Sequence, residues 1–296
     1  MIDFSSKNND LEISRTLHSR DGGVKYILNT QDKRAIEAIY FPFNGNFDGE
    51  IISANVVCLS SQVGCPVGCT FCETGRMKNP RNLSKEELIS QLNLINSNLE
   101  SSDKPPIDSV AMMGMGEPLL NLDNLLSFYN SVKENNNIKR FSVSTVGIIP
   151  GIKRLRESGK DIKLYISIHS PFNEERSKII PVSKVYPIHE VVVEGRKYAG
   201  VRSRSVVANY VLISGVNDSE RHSMSLSQLL DPAHFDITLN LLNPTPGSEL
   251  SPSSFDGLNR FKQGLEADGY TVDTQLSKGV DISGGCGQLV ENTPFT

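Results

Sequence analysis

From Ser109 onward, apolar stretches of strand length alternate with amphipathic stretches of helical length, and this alternation limits the fold class more than any other feature. The strand candidates are Ser109–Met113, Phe141–Ser144, Lys163–Ile168, Ser205–Ile213 and Phe235–Leu242, with Ala54–Leu59 ahead of them. The helix candidates are Ser84–Leu99, Asn121–Glu134, Ile149–Ser158, Pro187–Ala199, Ser219–Leu230 and Ser253–Ala267. Ser84 with Glu87 three residues later has the form of a capping box and marks the first helix start. Strand–helix alternation predicts a parallel sheet, either doubly wound or closed into a barrel. Earlier apolar stretches, Leu11–Leu17, Val24–Leu28 and Ala35–Phe41, are broken by Asp21-Gly22-Gly23 and Thr30-Gln31-Asp32, which predicts a small antiparallel element. The polar residues up to about Asp10 are expected to fray. Tyr270 to Thr296 shows no helical period, and Gly279, Gly284, Gly285 and Gly287 predict a mobile, adaptable segment.

Directly after the Ala54–Leu59 candidate comes Cys65-Pro66-Val67-Gly68-Cys69-Thr70-Phe71-Cys72, a C-x3-C-x2-C run. Iron–sulfur clusters usually take four cysteines, so three thiolates in one loop leave one iron of a four-iron cluster open. An open iron can hold S-adenosylmethionine (SAM) by its amino and carboxylate groups, which points to radical chemistry carried by a cofactor. A structural zinc site wants four ligands, and no His lies close in sequence to complete one. A disulfide framework suits small secreted domains, and no charged-then-apolar leader is present. A cluster loop behind the first parallel strand favours a partial barrel, because barrel active sites lie at the C-terminal ends of strands.

The chain has 296 residues, room for one large domain or two small ones. A net charge of -4 is not the basic balance of a protein whose main task is gripping phosphates. No apolar run is long enough to span a bilayer. A cytoplasmic, reducing setting is expected, which suits free thiols and a cluster.

Cys58 and Cys286 remain. Cys58 sits in an apolar strand, where a small buried hydrophobe is the simplest reading. Cys286 lies in Gly284-Gly285-Cys286-Gly287, where the thiol stays accessible and is a candidate nucleophile. Two free thiols that can meet are also able to exchange a covalent partner.

Together with Ala35-Ile36-Glu37, Met112-Met113-Gly114-Met115-Gly116-Glu117-Pro118-Leu119-Leu120-Asn121, Val143-Ser144-Thr145, Ile166-Ser167-Ile168-His169, Tyr210-Val211-Leu212, Gly215-Val216-Asn217-Asp218-Ser219, Asn243-Pro244 and Cys286-Gly287-Gln288-Leu289, these cysteines resemble the radical SAM adenine methyltransferases of the RlmN/Cfr type. The resemblance runs from about Ala35 to Leu289. It implies a partial (β/α)6 radical SAM barrel with a small N-terminal antiparallel β element and a C-terminal loop carrying a methyl-accepting Cys. The expected division is residues 1–52 as the β extension and 53–296 as the catalytic domain.

The resemblance also implies a chemistry. A [4Fe-4S] cluster on Cys65, Cys69 and Cys72 and two SAM molecules per turnover are the implied cofactors. One SAM methylates Cys286. The other is split to a 5′-deoxyadenosyl radical, which takes a hydrogen from that methyl. The carbon radical adds to carbon 2 or carbon 8 of an adenine in ribosomal RNA or tRNA. Cys58 then releases the product and leaves a Cys58–Cys286 disulfide to be reduced. Gly116, Glu117, Ser144, Ser167, His169 and Asn243 resemble SAM contacts, and Glu37 resembles the carboxylate suggested as a base. By itself Glu37 reads as a solvated strand carboxylate, and Met112, Met113 and Met115 as core filling. An RNA substrate and an external electron donor are the expected partners, with no membrane and no obligate protein partner.

Three departures mark the chain. The helical domain that usually precedes the matching region in the family is expected to be absent. The charged stretch before the last cysteine keeps only Lys278 and Asp281. Asn209 stands before Tyr210 where an acid is common. Basic clusters remain at Arg76-Met77-Lys78-Asn79-Pro80-Arg81, Lys139-Arg140, Lys153-Arg154-Leu155-Arg156 and Arg196-Lys197 with Arg202 and Arg204, each read first as solvated surface. The alternatives are the same chemistry on a nucleotide or other small heteroaromatic, or a non-catalytic RNA-binding relative.

Overall fold

A computed structural model describes residues 10–102, 104–134, 138–246 and 248–290. Of the segments expected to fray or stay mobile, residues 1–9 and 291–296 lie outside these. The chain divides into two compact units. The first holds residues 1–66, 73–143 and 278–296, and the second 67–72 and 144–277.

The first unit opens with an antiparallel meander of β1 (Leu11–His18), β2 (Val24–Thr30), β3 (Ala35–Phe47) and β4 (Glu50–Cys58). Two residues, Asp48 and Gly49, join β3 to β4, both at positive φ, the turn whose twist matches paired strands. The first half of β3 is buried at every position from Ala35 to Tyr40, so both of its faces are covered. A two-stranded ribbon, β5 (Gln62–Val63) with β6 (Arg81–Asn82), brackets the cysteine run. Helix α1 (Lys85–Glu100) starts at the expected capping box, with Ser84 Oγ accepting from Glu87 N and the Glu87 carboxylate from Ser84 N. It buries Leu88, Ile95 and Leu99 completely, each worth about 1.5–3 kcal/mol. The direction then changes. β7 (Ser109–Met112) pairs parallel with β4, Cys58 facing Ala111, and β8 (Arg140–Thr145) pairs parallel with β7. Helix α2 (Leu122–Glu134) connects β7 to β8.

In the second unit, β9 (Lys163–Ser167), β10 (Val206–Leu212), β11 (Phe235–Leu241) and β12 (Val272–Thr274) are parallel throughout. Their connections carry α3 (Ile149–Glu157), α4 (Asn173–Ile179), α5 (Ile188–Arg202), α6 (Glu220–Leu229) and α7 (Phe255–Ala267). α3 packs against α5 and α6 against α7. Mostly parallel strands alternating with helices make this an α/β arrangement.

Every strand and helix expected from Ser84 onward is present within a few residues. α4 and β12 are additions, too short for a period to announce. The expectation of a mobile, adaptable segment after Tyr270 is corrected for its described residues. Val280–Ile282 forms a helical turn, and the backbone is tied down on both sides of Cys286.

Candidate active site

Cys58 is the last residue of β4, buried, and Cys286 stands exposed in its glycine loop, both in the first unit. Burial pushes the Cys58 thiol well above its ordinary range, and the charge of Cys286 pushes it further. The two sulfurs therefore feel each other. The loop around Cys286 is held closely. Gln288 Oε1 accepts from Gly285 N at 3.0 Å, and Gln288 N donates to Gly285 O at 3.0 Å. Gly287 O accepts from Glu73 N at 2.9 Å, and Leu289 O from Thr74 Oγ1 at 2.6 Å. Upstream, Asp281 accepts from Ser19 Oγ and Arg20 N, and Gly279 N donates to Asp21 Oδ2 at 2.8 Å. The acid kept at position 281 is thus a tie to the β1–β2 turn. Gly284 has no room for a side chain, since a Cβ there would lie 2.6 Å from Ile39 Cδ1.

Glu37 is not the solvated carboxylate its place in a strand suggests. It is 1% exposed, paired with Lys25 Nζ at 2.8 Å, and accepts from Val290 N at 3.0 Å. In the loop after β7, Gly116 takes φ +99°, and a Cβ there would meet Gln62 Cβ at 2.6 Å, so only glycine fits. Gln62 Oε1 accepts from Glu117 N at 2.8 Å, while Glu117 Oε1 accepts from Leu119 N at 3.0 Å. Met112 and Met115 are buried core, and Met113 is half-buried.

In the second unit, Ser144 lies near the end of β8, Ser167 ends β9, and Asn243 follows β11. Asn243 Nδ2 donates to Ser277 Oγ at 2.8 Å. His169, buried at φ +57°, follows β9. Its Nδ1 accepts from Val211 N at 3.1 Å, which leaves the proton of the neutral ring on Nε2. Burial first, and then the charge of Arg176, pull its pKa down to about 3. Asn217 fixes this unusual backbone by donating to His169 O and Val211 O and accepting from Ile213 N, each at 2.7 Å.

Arg176 was not foreseen. Fully buried on α4, it donates from Nε to Ile168 O at 2.8 Å and from Nη1 to Ser183 Oγ at 2.7 Å. Its Nη2 donates to Val146 O at 2.6 Å and Ser167 O at 2.7 Å. It thereby sets the chain just past β8 and at the end of β9, and its charge reaches Cys69. Lys25 was missed too. Its signal was a lone cation inside the apolar run Val24–Leu28.

Cys65, Cys69 and Cys72 are each half-buried, and Phe71 sets its ring edge-on to His169 at 5.2 Å. Among the described residues no three His, Cys, Asp or Glu side chains converge on a single ion. Three thiols in one loop at this spacing suit a cluster, in which each takes a separate iron. The buried Arg176 cation beside Cys69 also suits an anionic cluster. The donor set fits the group.

Residues 59–226 match the Radical SAM superfamily. The chain is 40% identical over 276 residues to the probable dual-specificity RNA methyltransferase RlmN of Dictyoglomus turgidum, covering 91% of this chain and 76% of the relative. It is 35% identical over 280 residues to the dual-specificity RNA methyltransferase RlmN of Marinobacter nauticus, covering 92% and 73%. The crystal structure of a radical SAM methyltransferase from Sphaerobacter thermophilus superposes with a TM-score of 0.87 at 35% identity, covering 95% of this chain and 81% of that one.

Proposed function

The chain belongs to the RlmN family of the radical SAM superfamily, and we propose that it methylates carbon 2 or carbon 8 of an adenine in ribosomal RNA or tRNA through a methyl group carried on Cys286. It is a SAM-dependent radical methyltransferase whose cofactors are a [4Fe-4S] cluster and SAM. When bound, these supply a 5′-deoxyadenosyl radical, needed because adenine carbons 2 and 8 are too weakly nucleophilic for polar methyl transfer.

The residues divide the remaining work. Cys65, Cys69 and Cys72 hold three irons. Glu117 offers a carboxylate for the SAM ammonium, and Gly116 lets the backbone turn beside it. Ser144, Ser167, His169 and Asn243 supply polar groups at strand ends, and His169 does so as a neutral Nε2–H donor. Cys286 Sγ, exposed, takes a methyl from one SAM and presents it. After the methyl carbon joins adenine, Cys58 Sγ forms an S–S bond with Cys286 as the bond from Cys286 to the product breaks. An external thiol reductant then restores both cysteines, and a separate electron donor serves the cluster. Residues 1–52 act as a β extension of a catalytic domain over 53–296, and a cluster-binding thiol set suits a cytoplasmic, reducing setting.

One observation carries this reading: a buried thiol on β4 lies within electrostatic reach of an exposed thiol in a glycine loop. Purifying Cys58→Ala from cells and identifying by mass spectrometry what is attached to Cys286 tests it. An RNA fragment on Cys286 is expected. A small-molecule adduct would replace RNA as substrate, and a bare Cys286 would remove Cys58 from the release step.

A further inference from the structure

Cys286 has to meet three partners in turn: SAM, an adenine and Cys58. A glycine-rich loop left free would spend most of its time elsewhere, because ordering each residue costs about 1–2 kcal/mol. The backbone on either side of Cys286 is bound to a single buried ion pair. Lys25 Nζ donates to Ser283 O at 3.0 Å, and Val290 N donates to Glu37 Oε2 at 3.0 Å. Lys25 and Glu37 are themselves joined at 2.8 Å, with side chains only 5% and 2% exposed. They stand on adjacent strands. Lys25 is opposite Ile39 and Glu37 opposite Ile27, so the two side chains share a face on a diagonal. Strand β3 carries the rest of the seat. Ile39 fills the space against Gly279 and Gly284 and is the register partner of Cys58.

A buried ion pair is a poor stabiliser in itself, since taking two charges out of water offsets much of their attraction. Two hydrogen bonds from this pair go to the tail backbone. We infer that Lys25 and Glu37 are positioning residues, a clamp that holds residues 283 and 290 so that Cys286 is presented over Cys58. Glu37 on this view acts on the tail, not as a base on the substrate. The inference rests on the role proposed above for Cys286.

The test uses the full chain, reconstituted anaerobically, with two readouts: hydrogen–deuterium exchange over residues 280–290, and the mass of Cys286 after incubation with SAM. Lys25→Met and Glu37→Ala should speed exchange of that segment by about tenfold or more, the loss of a hydrogen bond to a charged group, and lower methyl-Cys286. Glu37→Gln keeps the acceptor and Lys25→Arg keeps the donor, so both should stay within about threefold of wild type in exchange and methylation. The double variant Lys25→Met with Glu37→Gln leaves no unpaired buried charge. It keeps the fold and should still loosen the segment at Ser283. Unchanged exchange in Lys25→Met, Glu37→Ala and the double variant overturns the clamp. So does a Glu37→Gln enzyme with normal exchange and full methyl-Cys286 that makes no methylated RNA, because the carboxylate would then act on the substrate. Absence of methyl-Cys286 in the wild type would sink the proposed function alone, while the exchange data would still judge the clamp.

Discussion

Ile39 stands directly opposite Cys58 in the β3–β4 ladder, and the same isoleucine fills the hollow beneath Gly284, two residues before Cys286. One apolar side chain thus links the strand that ends in the buried thiol to the loop that carries the exposed one. Gly284→Ala would bring a Cβ to 2.6 Å from Ile39 Cδ1 and 3.2 Å from Gly279 O. Overpacking of this kind costs about 1–3 kcal/mol. The expected outcome is a lower melting temperature and slower formation of a Cys58–Cys286 disulfide under diamide. Adding Ile39→Val should recover part of both, and full additivity of the two changes would mean that they do not touch.

Arg176 offers the clearest stability prediction. Arg176→Met takes one donor each from the carbonyls of Val146, Ser167 and Ile168 and from the Ser183 hydroxyl, of which Ile168 O keeps its bond from Ser170 N. Buried polar groups left unpaired cost about 1–3 kcal/mol each before relaxation, so a loss of at least about 3 kcal/mol is expected in urea unfolding. Arg176→Lys should fall between the two, because a lysine keeps the charge but cannot reach four acceptors. SAM affinity, measured by calorimetry on the cluster-loaded enzyme, should drop as Ser167 loses its placement. Wild-type stability in Arg176→Met would refute the network.

His169 gives a pH dependence of defined sign. Its folded pKa is about 3, while a free imidazole titrates near 6.5. As pH falls below about 6.5 the unfolded chain takes up a proton that the folded chain refuses. Stability is therefore lost on acidification, at about 1.4 kcal/mol per pH unit down to about 3, and is flat above 6.5 as far as this group is concerned. Comparing urea midpoints between pH 7 and pH 5 should show a shallower slope for His169→Gln than for wild type. Equal slopes would place the imidazole in water.

Cys58 and Cys286 differ in reactivity. Exposed Cys286 should react with iodoacetamide long before Cys58, whose thiol is raised by burial and then by the Cys286 charge. Methylated Cys286 is a neutral thioether, which removes the second cause. Cys58 should accordingly alkylate faster in Cys286→Ala than in wild type at pH 8–9, read by mass spectrometry at each site. An unchanged rate would mean that the two groups are electrostatically independent.

Sequence periodicity located the parallel strands and most of the helices because each has a long enough apolar stripe to read. It did not reveal α4, seven residues long, and so missed Arg176, whose importance comes from four acceptors contributed by three separate segments. The cysteine run invites a cluster reading from sequence alone because a cluster dictates ligand type and spacing within one stretch. The state of Glu37 was not, because what buries it includes a backbone amide 253 residues away. Lys25 left a partial trace as a cation in an apolar run, but a run does not say which carboxylate will meet it. The glycines near Cys286 were read as freedom, whereas at Gly284 the small residue serves close contact with Ile39.

The distance in sequence between Glu37 and Val290 bears on how the molecule matures. Strands β2 and β3 leave the ribosome long before residues 283–290 exist, so the clamp cannot close during most of synthesis. Cys65, Cys69 and Cys72 are all made in the interval, while Cys286 is still untranslated. On the roles proposed above, Cys65, Cys69 and Cys72 can take their metal before Cys286 appears. Order of synthesis then separates Cys286 from the four earlier cysteines, and the last arrangement to form is the one that closes on Lys25 and Glu37.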